Sequence, residues 1–525
     1  MILVLSYNLC CNPSFLRYNA PMSATVRTIH DAGISAIPID IECHLSNGIP
    51  NIIIVGFGNK AVDEAKERIR SAFAEAKVSL PRKRITINLA PADLPKDGTA
   101  FDLPMAAAIL QASEQTPNTQ PTEQNSLTIG ELGLDGSIRP VRGIIGKLLA
   151  ARSLGYTTCY IPVGNMQQAL LVPGLTLIAV PTLREYYLDS TGTIRLPRTV
   201  SGSALPTQNS AGSDFADVIG QTRAKRALEI AAAGGHNVLL NGAPGTGKSM
   251  LAKAAASILP SMSLEEALEV THLHSLASRQ YDRIYAQRPV RTPHHTASEV
   301  SILGGGQNPR PGEISLAHRG ILFLDELPEY GRSIIEALRQ PLEDKTITVA
   351  RAKDTVIYPA DFILIATSNP CPCGYYGTSK ECSCAPYDIA KYQRRLSGPI
   401  LDRIDIYVNV DEVEHAALLG KHSAEPSTTV RKRVEIARKR QQQRHRDPLL
   451  TNALLDNRRI KQHAQLTPDA KSLLDQAAAT LNISARAYMR TIKVARTIAD
   501  LNGSEQITQA EVSEALQYRY QPPTT

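Results

Sequence analysis

The stretch that most constrains the fold is a glycine-rich loop at residues 237–249, which reads NVLLNGAPGTGKS. An apolar strand precedes the loop, and an alanine-rich helix is predicted to follow it at residues 250–258. Glycines permit a tight turn that points several backbone N–H groups toward one side, where the helix N-terminus adds partial positive charge. A strand, loop and helix in this order predict a phosphate-binding site.

The loop fits the pattern G-x-x-x-x-G-K-[ST], in which each polar position has a chemical role. The lysine, Lys248, can reach the β and γ phosphates of a nucleotide, and the Ser249 hydroxyl can bind Mg²⁺. The predicted nucleotide-binding residues are Gly242, Ala243, Pro244, Gly245, Thr246, Gly247, Lys248 and Ser249.

Two later apolar segments end in polar residues that fit the same site. Residues 321–324 predict a buried strand followed by Asp325 and Glu326. Asp325 would join the Mg²⁺ shell and Glu326 would activate a water for in-line attack. Residues 362–368 predict another buried strand, which ends at Asn369. Asn369 would orient the same water or contact the γ-phosphate.

Composition limits the remaining possibilities. A chain of 525 residues is long enough for several domains, and its net charge of +7 permits contact with nucleic acid without requiring it. The cysteines do not form the dense framework of a secreted disulfide protein, and no apolar run approaches the length of a membrane span. We therefore expect a cytoplasmic protein without a membrane partner.

We expect a multidomain α/β chain, with boundaries set by changes in composition and pattern. Residues 1–21 are interpreted as a non-native or disordered extension, with translation starting at Met22. The predicted parts that follow are an α+β domain at 22–190, a linker at 191–213, a phosphate-loop core with a parallel sheet at 214–411, and a helical segment at 412–525.

The first domain resembles the proteolytic domain of the Lon family. The resemblance rests on GELGLDGSIRP at residues 130–140, on KLLAAR at residues 147–152, and on Ile161-Pro162. It implies that the family's nucleophilic serine and its lysine fall at Ala100 and Ile145. Alanine and isoleucine can neither attack a carbonyl nor accept a proton, so a Lon-like fold without peptidase chemistry is expected.

The core resembles the AAA+ ATPases, and more specifically the magnesium-chelatase-like ATPases of the ComM/YifB type. The resemblance is carried by PHHT at 293–296, GGG at 304–306, PRPGEISLAH at 309–318, ALRQPLE at 337–343, NPCPCG at 369–374 and SGPILDRID at 397–405. With the Lon-like domain it covers the chain from Met22 to about Tyr518. It implies Mg²⁺-dependent ATP hydrolysis and a C-terminal helical lid.

Two arginines receive roles from the resemblance. Arg403 matches the arginine finger that reaches a neighbouring subunit's nucleotide, with Arg394 and Arg395 as alternatives. Arg486 matches the sensor-2 arginine, which contacts nucleotide from the lid. A finger that acts between subunits implies a ring, and a hexamer is expected.

The resemblance also implies DNA as the partner, in branch migration or unwinding during recombination or natural transformation. Residues 288–312 and a hairpin at 345–356 correspond to insertions that grip DNA in related motors, and the hairpin would present Arg351 and Lys353. The basic run at 431–446 is either a solvated helix or a further DNA contact. With no Trp and 5% aromatic residues, little sequence preference is expected.

Two rival functions stay open: a magnesium-chelatase motor subunit and an ATP-driven protein remodeller.

Four clustered cysteines form the last candidate site: Cys371, Cys373, Cys382 and Cys384. Four thiolates in one loop suffice for tetrahedral, structural Zn²⁺, although the C-x-C spacing is tighter than the common C-x₂-C. Reduced free thiols or a redox pair are the alternatives.

Overall fold

The structure, a computed structural model, falls into two compact units, Met1–Ser203 and Ala204–Thr525. It describes residues 23–32, 35–56, 60–92, 96, 98–116, 125–202, 205, 213–278, 282–306, 310–350, 355–378, 380–396, 398–412 and 424–520. Residues 1–21 lie outside this set, so their interpretation as an extension stays a prediction.

The first unit begins with a four-stranded sheet made of β1 (Ser23–Ala32), β2 (Ser35–Ser46), β3 (Asn51–Val55) and β4 (Arg84–Ala90). The strand order is β1-β2-β4-β3, and only the β3–β4 pair is parallel. In β4, Ile85, Ile87 and Leu89 are buried and alternate with more exposed residues. This period of two fits a strand with one face on the core.

A second four-stranded sheet uses β5 (Ser126–Thr128), β8 (Thr158–Pro162), β9 (Thr176–Val180) and β10 (Arg198–Val200), and β6 (Glu131–Leu132) pairs with β7 (Ile138–Arg139). The order is β10-β9-β8-β5. β10 lies inside the predicted linker at 191–213, so that prediction was wrong in part. Antiparallel pairing of Arg198–Val200 with β9 keeps this segment in the first unit.

The helices of the first unit pack on these sheets, and one of them is almost completely buried. That helix, Asp102–Ala112, starts with a carboxylate paired with Arg68 at 2.6 Å between Oδ2 and Nε. Burial raises the pKa of Asp102 to about 6 despite this partner. The other helices are Lys60–Glu75, Ile144–Ser153, Met166–Ala169 and Leu183–Ser190. The unit is α+β, whereas its Lon-like character stays a prediction.

The second unit is built on a parallel five-stranded sheet in the order β12-β15-β18-β11-β19. The unit's strands are β11 (Val238–Asn241), β12 (Val290–Arg291), β13 (Gly304–Gly305), β14 (Arg310–Pro311), β15 (Ile321–Leu324), β16 (Thr346–Ala350), β17 (Thr355–Pro359), β18 (Ile363–Ser368) and β19 (Ile406–Asn409). β15 is apolar throughout, and every residue of both β15 and β18 is buried, as expected for strands covered on both faces. Parallel pairing brings the carboxyl ends of β11, β15 and β18 to one edge.

Helices surround this sheet and make up the C-terminal part of the unit. The predicted helical segment at 412–525 contains helices at Pro468–Thr480, Ala485–Asn502 and Gln509–Leu516, and the last begins with a capping box between Thr508 and Glu511. None of the described helices combines the length and apolar character needed to cross a membrane. The remaining helices are Thr222–Gly234, Lys248–Ala254, Leu264–Ala277, Glu299–Leu303, Glu313–Leu316, Arg332–Ala337, Arg339–Asp344, Pro386–Gln393, Gly398–Leu401, Ser427–His445 and Asn457–His463.

The basic run at 431–446 is helical but is not the solvated helix that its charge suggested. Val430, Val434 and Ala437 bury one face of the Ser427–His445 helix in the core. Several of its guanidinium groups bond within the unit: Arg431 to the Ser257 carbonyl, Arg433 to Glu229, Arg438 to the Ala232 carbonyl, and Arg444 to Asp500. Much of the basic charge therefore stabilises the fold.

The two insertions that were predicted to contact DNA differ in what the structure describes of their basic residues. The hairpin is present as β16 and β17, with Ala350 opposite Thr355, while Arg351 and Lys353 lie outside the described residues. In the other insertion, Arg288 donates to Glu266 at 2.8 Å and Arg291 donates to Glu313 at 2.6 Å. Both arginines pair with carboxylates of their own chain, and contact of this segment with DNA stays a prediction.

Candidate active site

The phosphate loop follows β11 and leads directly into the Lys248–Ala254 helix. Gly245 and Gly247 have left-handed backbone, with φ of 83° and 88°, which a side chain would strain. At Gly242, an added Cβ would lie 2.5 Å from the Val410 carbonyl oxygen. The glycines are therefore required by the turn and by its contact with the end of β19.

Lys248 is the first residue of the helix that follows the loop and is 7% exposed. Its Nζ donates to the carbonyl oxygens of Gly242 and Ala243 at 2.7 and 2.8 Å, and to Asn369 Oδ1 at 3.1 Å. Burial lowers the pKa of Lys248, an effect opposed by the carboxylates of Asp325 and Glu326. The ammonium thus joins the loop to the strand-end residue that was predicted to contact phosphate.

Ser249 and Asp325 are in contact, as expected of two residues that bind one Mg²⁺ ion. Ser249 Oγ donates to Asp325 Oδ2 at 2.9 Å, and Thr367 Oγ1 donates to Asp325 Oδ1 at 2.6 Å. Hydroxyl and carboxylate oxygens at the edge of a phosphate loop are hard ligands of the kind Mg²⁺ prefers. The donor set fits Mg²⁺, with nucleotide phosphates and waters as the remaining ligands.

Glu326 lies next to this pair in a left-handed conformation, with φ of 53°. That conformation is uncommon outside glycine and is held here by a hydrogen bond from the Glu326 N–H to Thr367 Oγ1 at 2.8 Å. Asn369 Nδ2 donates to Glu326 Oε1 at 3.2 Å. The predicted catalytic residues Lys248, Asn369 and Glu326 therefore form one connected chain of hydrogen bonds.

Thr367 was not identified from the sequence, although it bonds to the Asp325 carboxylate and to the Glu326 backbone. It is fully buried in β18, and its single hydroxyl bonds to Asp325 and to the Glu326 backbone. Its position two residues before Asn369 is the one available signal, because alternate side chains of a strand share a face.

Replacing Thr367 with Val is expected to lower kcat for ATP about 10–100-fold with nucleotide affinity nearly unchanged. Valine keeps the shape but removes the hydroxyl that positions Asp325 and Glu326, at a stability cost of about 1–3 kcal/mol. Steady-state hydrolysis would measure kcat, and nucleotide titration would measure the affinity. Thr271→Val is the matched control, since Thr271 is also fully buried and accepts a hydrogen bond from the Tyr285 N–H. Wild-type kcat in Thr367→Val would contradict this positioning role.

An open cavity of about 800 Å³ adjoins the loop and includes Gly242, Ala243, Thr246 and Asn369 in its walls. Gln221, a second residue missed from sequence, bonds to the Thr246 carbonyl at 3.3 Å and to the Asp411 carbonyl at 2.7 Å. Aromatic rings complete the walls: Tyr376, Tyr392, Tyr407 and Tyr520. The cavity is large enough for a nucleotide.

The two predicted nucleotide-sensing arginines lie together. Arg403 Nη2 and Arg486 Nη2 bond to the same oxygen, Glu343 Oε1, at 2.6 and 2.5 Å. The two guanidinium groups, Arg403 foremost, lower the pKa of Glu343. The alternative finger Arg395 instead pairs with Glu329 at 2.9 Å, three residues after Glu326. Arg403 and Arg486 thus share one face of the unit.

The turn that carries Arg403 is held from two sides by residues that the sequence analysis did not identify. Asn237 Nδ2 donates to the Arg403 carbonyl at 3.0 Å, and Asn237 Oδ1 accepts from the Leu364 N–H at 2.9 Å. Arg490 donates to the carbonyls of Leu401 and Ile404 at 3.0 and 2.7 Å. The turn is therefore tied to the central sheet and to the Ala485–Asn502 helix.

The four-cysteine cluster lies next to this site. The Sγ atoms of Cys371, Cys373, Cys382 and Cys384 all lie within 4.8 Å of one another. The Tyr375 N–H leads the effects that lower the pKa of Cys373 to about 6, which favours a thiolate. Four converging sulfur atoms can hold Zn²⁺.

Three family comparisons match consecutive parts of the chain. Residues 214–418 match "Magnesium chelatase, subunit ChlI", and residues 424–519 match its C-terminal part. Residues 41–165 match "Subunit ChlI of Mg-chelatase". The first match contains the whole five-stranded parallel sheet and the site at its edge.

Relatives that match nearly the whole chain identify the family more closely. Competence protein ComM of Haemophilus influenzae is 43% identical over 493 residues, which span 93% of this chain and 95% of that protein. YifB of Salmonella typhimurium is 42% identical over 500 residues, or 94% of this chain and 97% of that protein. The Magnesium-chelatase 67 kDa subunit of Chlorobaculum parvum is 30% identical over 162 residues, 30% of this chain and 23% of that protein. The chain therefore belongs to the ComM/YifB family of magnesium-chelatase-like AAA+ ATPases.

Proposed function

We propose that this protein is a cytoplasmic ring motor that uses ATP and Mg²⁺ to move along DNA, in branch migration or unwinding during recombination. The observation that carries the hydrolysis part is the hydrogen-bonded set of Lys248, Asn369 and Glu326 beside the Ser249–Asp325 pair. The DNA part is supported by the family and by the basic hairpin β16–β17.

Each residue of the site has one task in hydrolysis. The loop N–H groups and Lys248 hold the β and γ phosphates, and Ser249 and Asp325 hold Mg²⁺, which neutralises phosphate charge. Glu326 accepts a proton from the attacking water, and Asn369 keeps the Glu326 carboxylate aimed at that water. The Thr367 hydroxyl donates to the Asp325 carboxylate and accepts from the Glu326 backbone N–H, so it positions both residues.

The match of Arg403 to an arginine finger supports a ring, because a finger that acts between subunits has no role in a monomer. Arg403 and Arg486 bond to Glu343, whereas Lys248 and Glu326 bond to Asn369. In the proposed hexamer both arginines of one subunit would reach the nucleotide of its neighbour. A planar guanidinium suits the charge spread over a transferring phosphoryl group.

DNA is the proposed substrate because the closely similar ComM is named a competence protein and because the hairpin carries Arg351 and Lys353. Contacts from such residues to phosphates bind DNA with little sequence preference and weaken as salt rises. A chelatase motor function is favoured by the match to the 67 kDa subunit, but that match covers 23% of that protein.

The proposal predicts that branched or single-stranded DNA stimulates ATP hydrolysis several-fold, and that salt removes the stimulation. Steady-state hydrolysis by the full chain with and without DNA, at low and high salt, tests it. Arg351→Ala with Lys353→Ala should lose the stimulation but keep basal hydrolysis. The matched control is Lys461→Ala with Lys471→Ala, which removes two exposed lysines of the C-terminal helices.

Hydrolysis that no DNA alters would overturn the DNA substrate and leave the ATPase intact. Stimulation by an unfolded polypeptide instead would favour a protein remodeller. Stimulation by DNA that survives in the double hairpin variant would move the DNA contact to another surface.

A further inference from the structure

We propose that Cys371, Cys373, Cys382 and Cys384 hold one structural Zn²⁺ ion that fixes the segment carrying Asn369 against the phosphate loop. The metal site stands on the geometry of the cysteines alone. Its positioning role rests on the proposed ATPase function, in which Asn369 and Glu326 act on the attacking water.

The sulfur spacings fit a tetrahedral metal site. Cys371 Sγ lies 3.3 Å from Cys373 Sγ and 3.7 Å from Cys382 Sγ, and the Cys373–Cys382 distance is 3.6 Å. Zn–S bonds of about 2.3 Å in a tetrahedron place sulfur atoms roughly 3.8 Å apart. A disulfide would instead need an S–S distance of about 2.05 Å. Small shifts of the side chains complete a four-thiolate cage.

Backbone N–H groups point at the sulfur atoms, as expected around a metal-bound thiolate. The Cys373 N–H donates to Cys384 Sγ at 3.4 Å, and the Tyr376 N–H donates to Cys371 Sγ at 3.3 Å. Such bonds orient the ligands and lower their effective negative charge. Cys371 is fully buried, so its sulfur faces the cluster and not solvent.

The cluster joins two segments of the chain that border the active site. Cys371 and Cys373 follow Asn369 within a few residues, and Cys382 and Cys384 come just before the Pro386–Gln393 helix. Gln393 Nε2 reinforces the junction by donating to the Pro370 carbonyl at 3.1 Å. One ion bound by all four cysteines would therefore fix both segments relative to each other.

The same loop lies on the phosphate loop. A Cβ at Gly374 would come within 2.4 Å of Pro244 Cδ, so the Gly374 backbone packs on the Pro244 ring without room for a side chain. Loss of the ion would free the loop and let Asn369 move away from Lys248 and Glu326. Phosphates would still be held by the loop N–H groups, so hydrolysis should suffer more than binding.

The first test measures metal directly and does not depend on ATPase activity. The full chain, purified under reducing conditions without chelator, is expected to contain about one zinc ion per chain by elemental analysis. Replacement by Co²⁺ should give the charge-transfer absorption of thiolate ligands. Cys382→Ala with Cys384→Ala should lose the metal, while Cys43→Ala with Cys159→Ala should keep it.

The control cysteines are suitable because both are buried in the first unit, where burial raises the pKa of each thiol to about 12. They stay protonated and are not ligands. Wild-type protein that is folded, is free of zinc and takes up none when zinc is added would overturn the metal site. A Cys371–Cys373 disulfide in that protein would identify a redox pair instead.

The second test measures the positioning role on wild-type protein before and after zinc removal by a chelator. Removal should lower kcat about 10–100-fold and leave the affinity for a fluorescent ATP analogue nearly unchanged. Restored zinc should restore kcat. Unchanged kcat would limit the ion to a structural role away from catalysis. If the zinc-loaded enzyme hydrolyses no ATP at all, the proposed function fails while the metal site stands.

Discussion

Replacing Glu326 with Gln is expected to lower kcat for ATP hydrolysis by about 10²–10⁴-fold while ATP still binds. Glutamine keeps the size of the side chain and the contact with Asn369, but it cannot accept a proton from the attacking water. Because the phosphate loop, Lys248 and the Ser249–Asp325 pair are unchanged, nucleotide affinity should stay close to that of the wild type. Single-turnover hydrolysis and equilibrium binding measure the two quantities separately.

Glu329→Gln is the matched control for this variant. Glu329 lies three residues further along the chain and pairs with Arg395 at 2.9 Å, an ion pair that is partly exposed and contributes little. We expect its kcat to be close to that of the wild type. Equal losses in both variants, or ready hydrolysis by Glu326→Gln, would exclude Glu326 as the general base.

Replacing Arg403 with Ala is expected to lower kcat by about 10³-fold or more, the range found for arginine fingers. The decisive measurement mixes this variant with Glu326→Gln. Each variant alone is nearly inactive, but in a mixed ring a wild-type Glu326 can meet a wild-type Arg403 at some interfaces. Activity should therefore reappear on mixing if, as proposed, the two residues serve one nucleotide from different subunits.

Two control variants make the mixing result specific to Arg403. Arg395→Ala should retain activity if Arg403 is the finger, and Arg403→Lys should stay impaired because an ammonium cannot reproduce the planar, bidentate contact. If mixing restores nothing although mixed rings form, Arg403 acts within its own subunit or not on nucleotide at all.

The core of the site could be predicted from sequence because its signals are local. The phosphate loop, the Asp325-Glu326 pair and Asn369 each follow an apolar strand, and parallel pairing of β11, β15 and β18 gathers strand ends at one edge. The C-terminal helices and the β16–β17 hairpin were predictable for the same reason, since their patterns repeat over a few residues.

The parts that were missed depend on partners distant in sequence. Thr367 bonds to a carboxylate 42 residues away, and Arg490 to a carbonyl 89 residues away. Charge alone was also misleading for the Ser427–His445 helix, because the sequence does not show whether a basic side chain faces solvent or a carbonyl within the fold. The pairing of β10 with β9 likewise depended on a contact that the Ser/Thr/Gly composition of 191–213 does not reveal.

Because Glu343 holds both Arg403 and Arg486, the two arginines are energetically coupled within one subunit. One carboxylate between two cations leaves an excess positive charge that a neighbour's triphosphate can neutralise more fully. Withdrawal of one arginine strengthens the hold of Glu343 on the other, so the first release costs less than the second and an arrangement with one arginine released is favoured. The two arginines are therefore expected to leave Glu343 one after the other and not together.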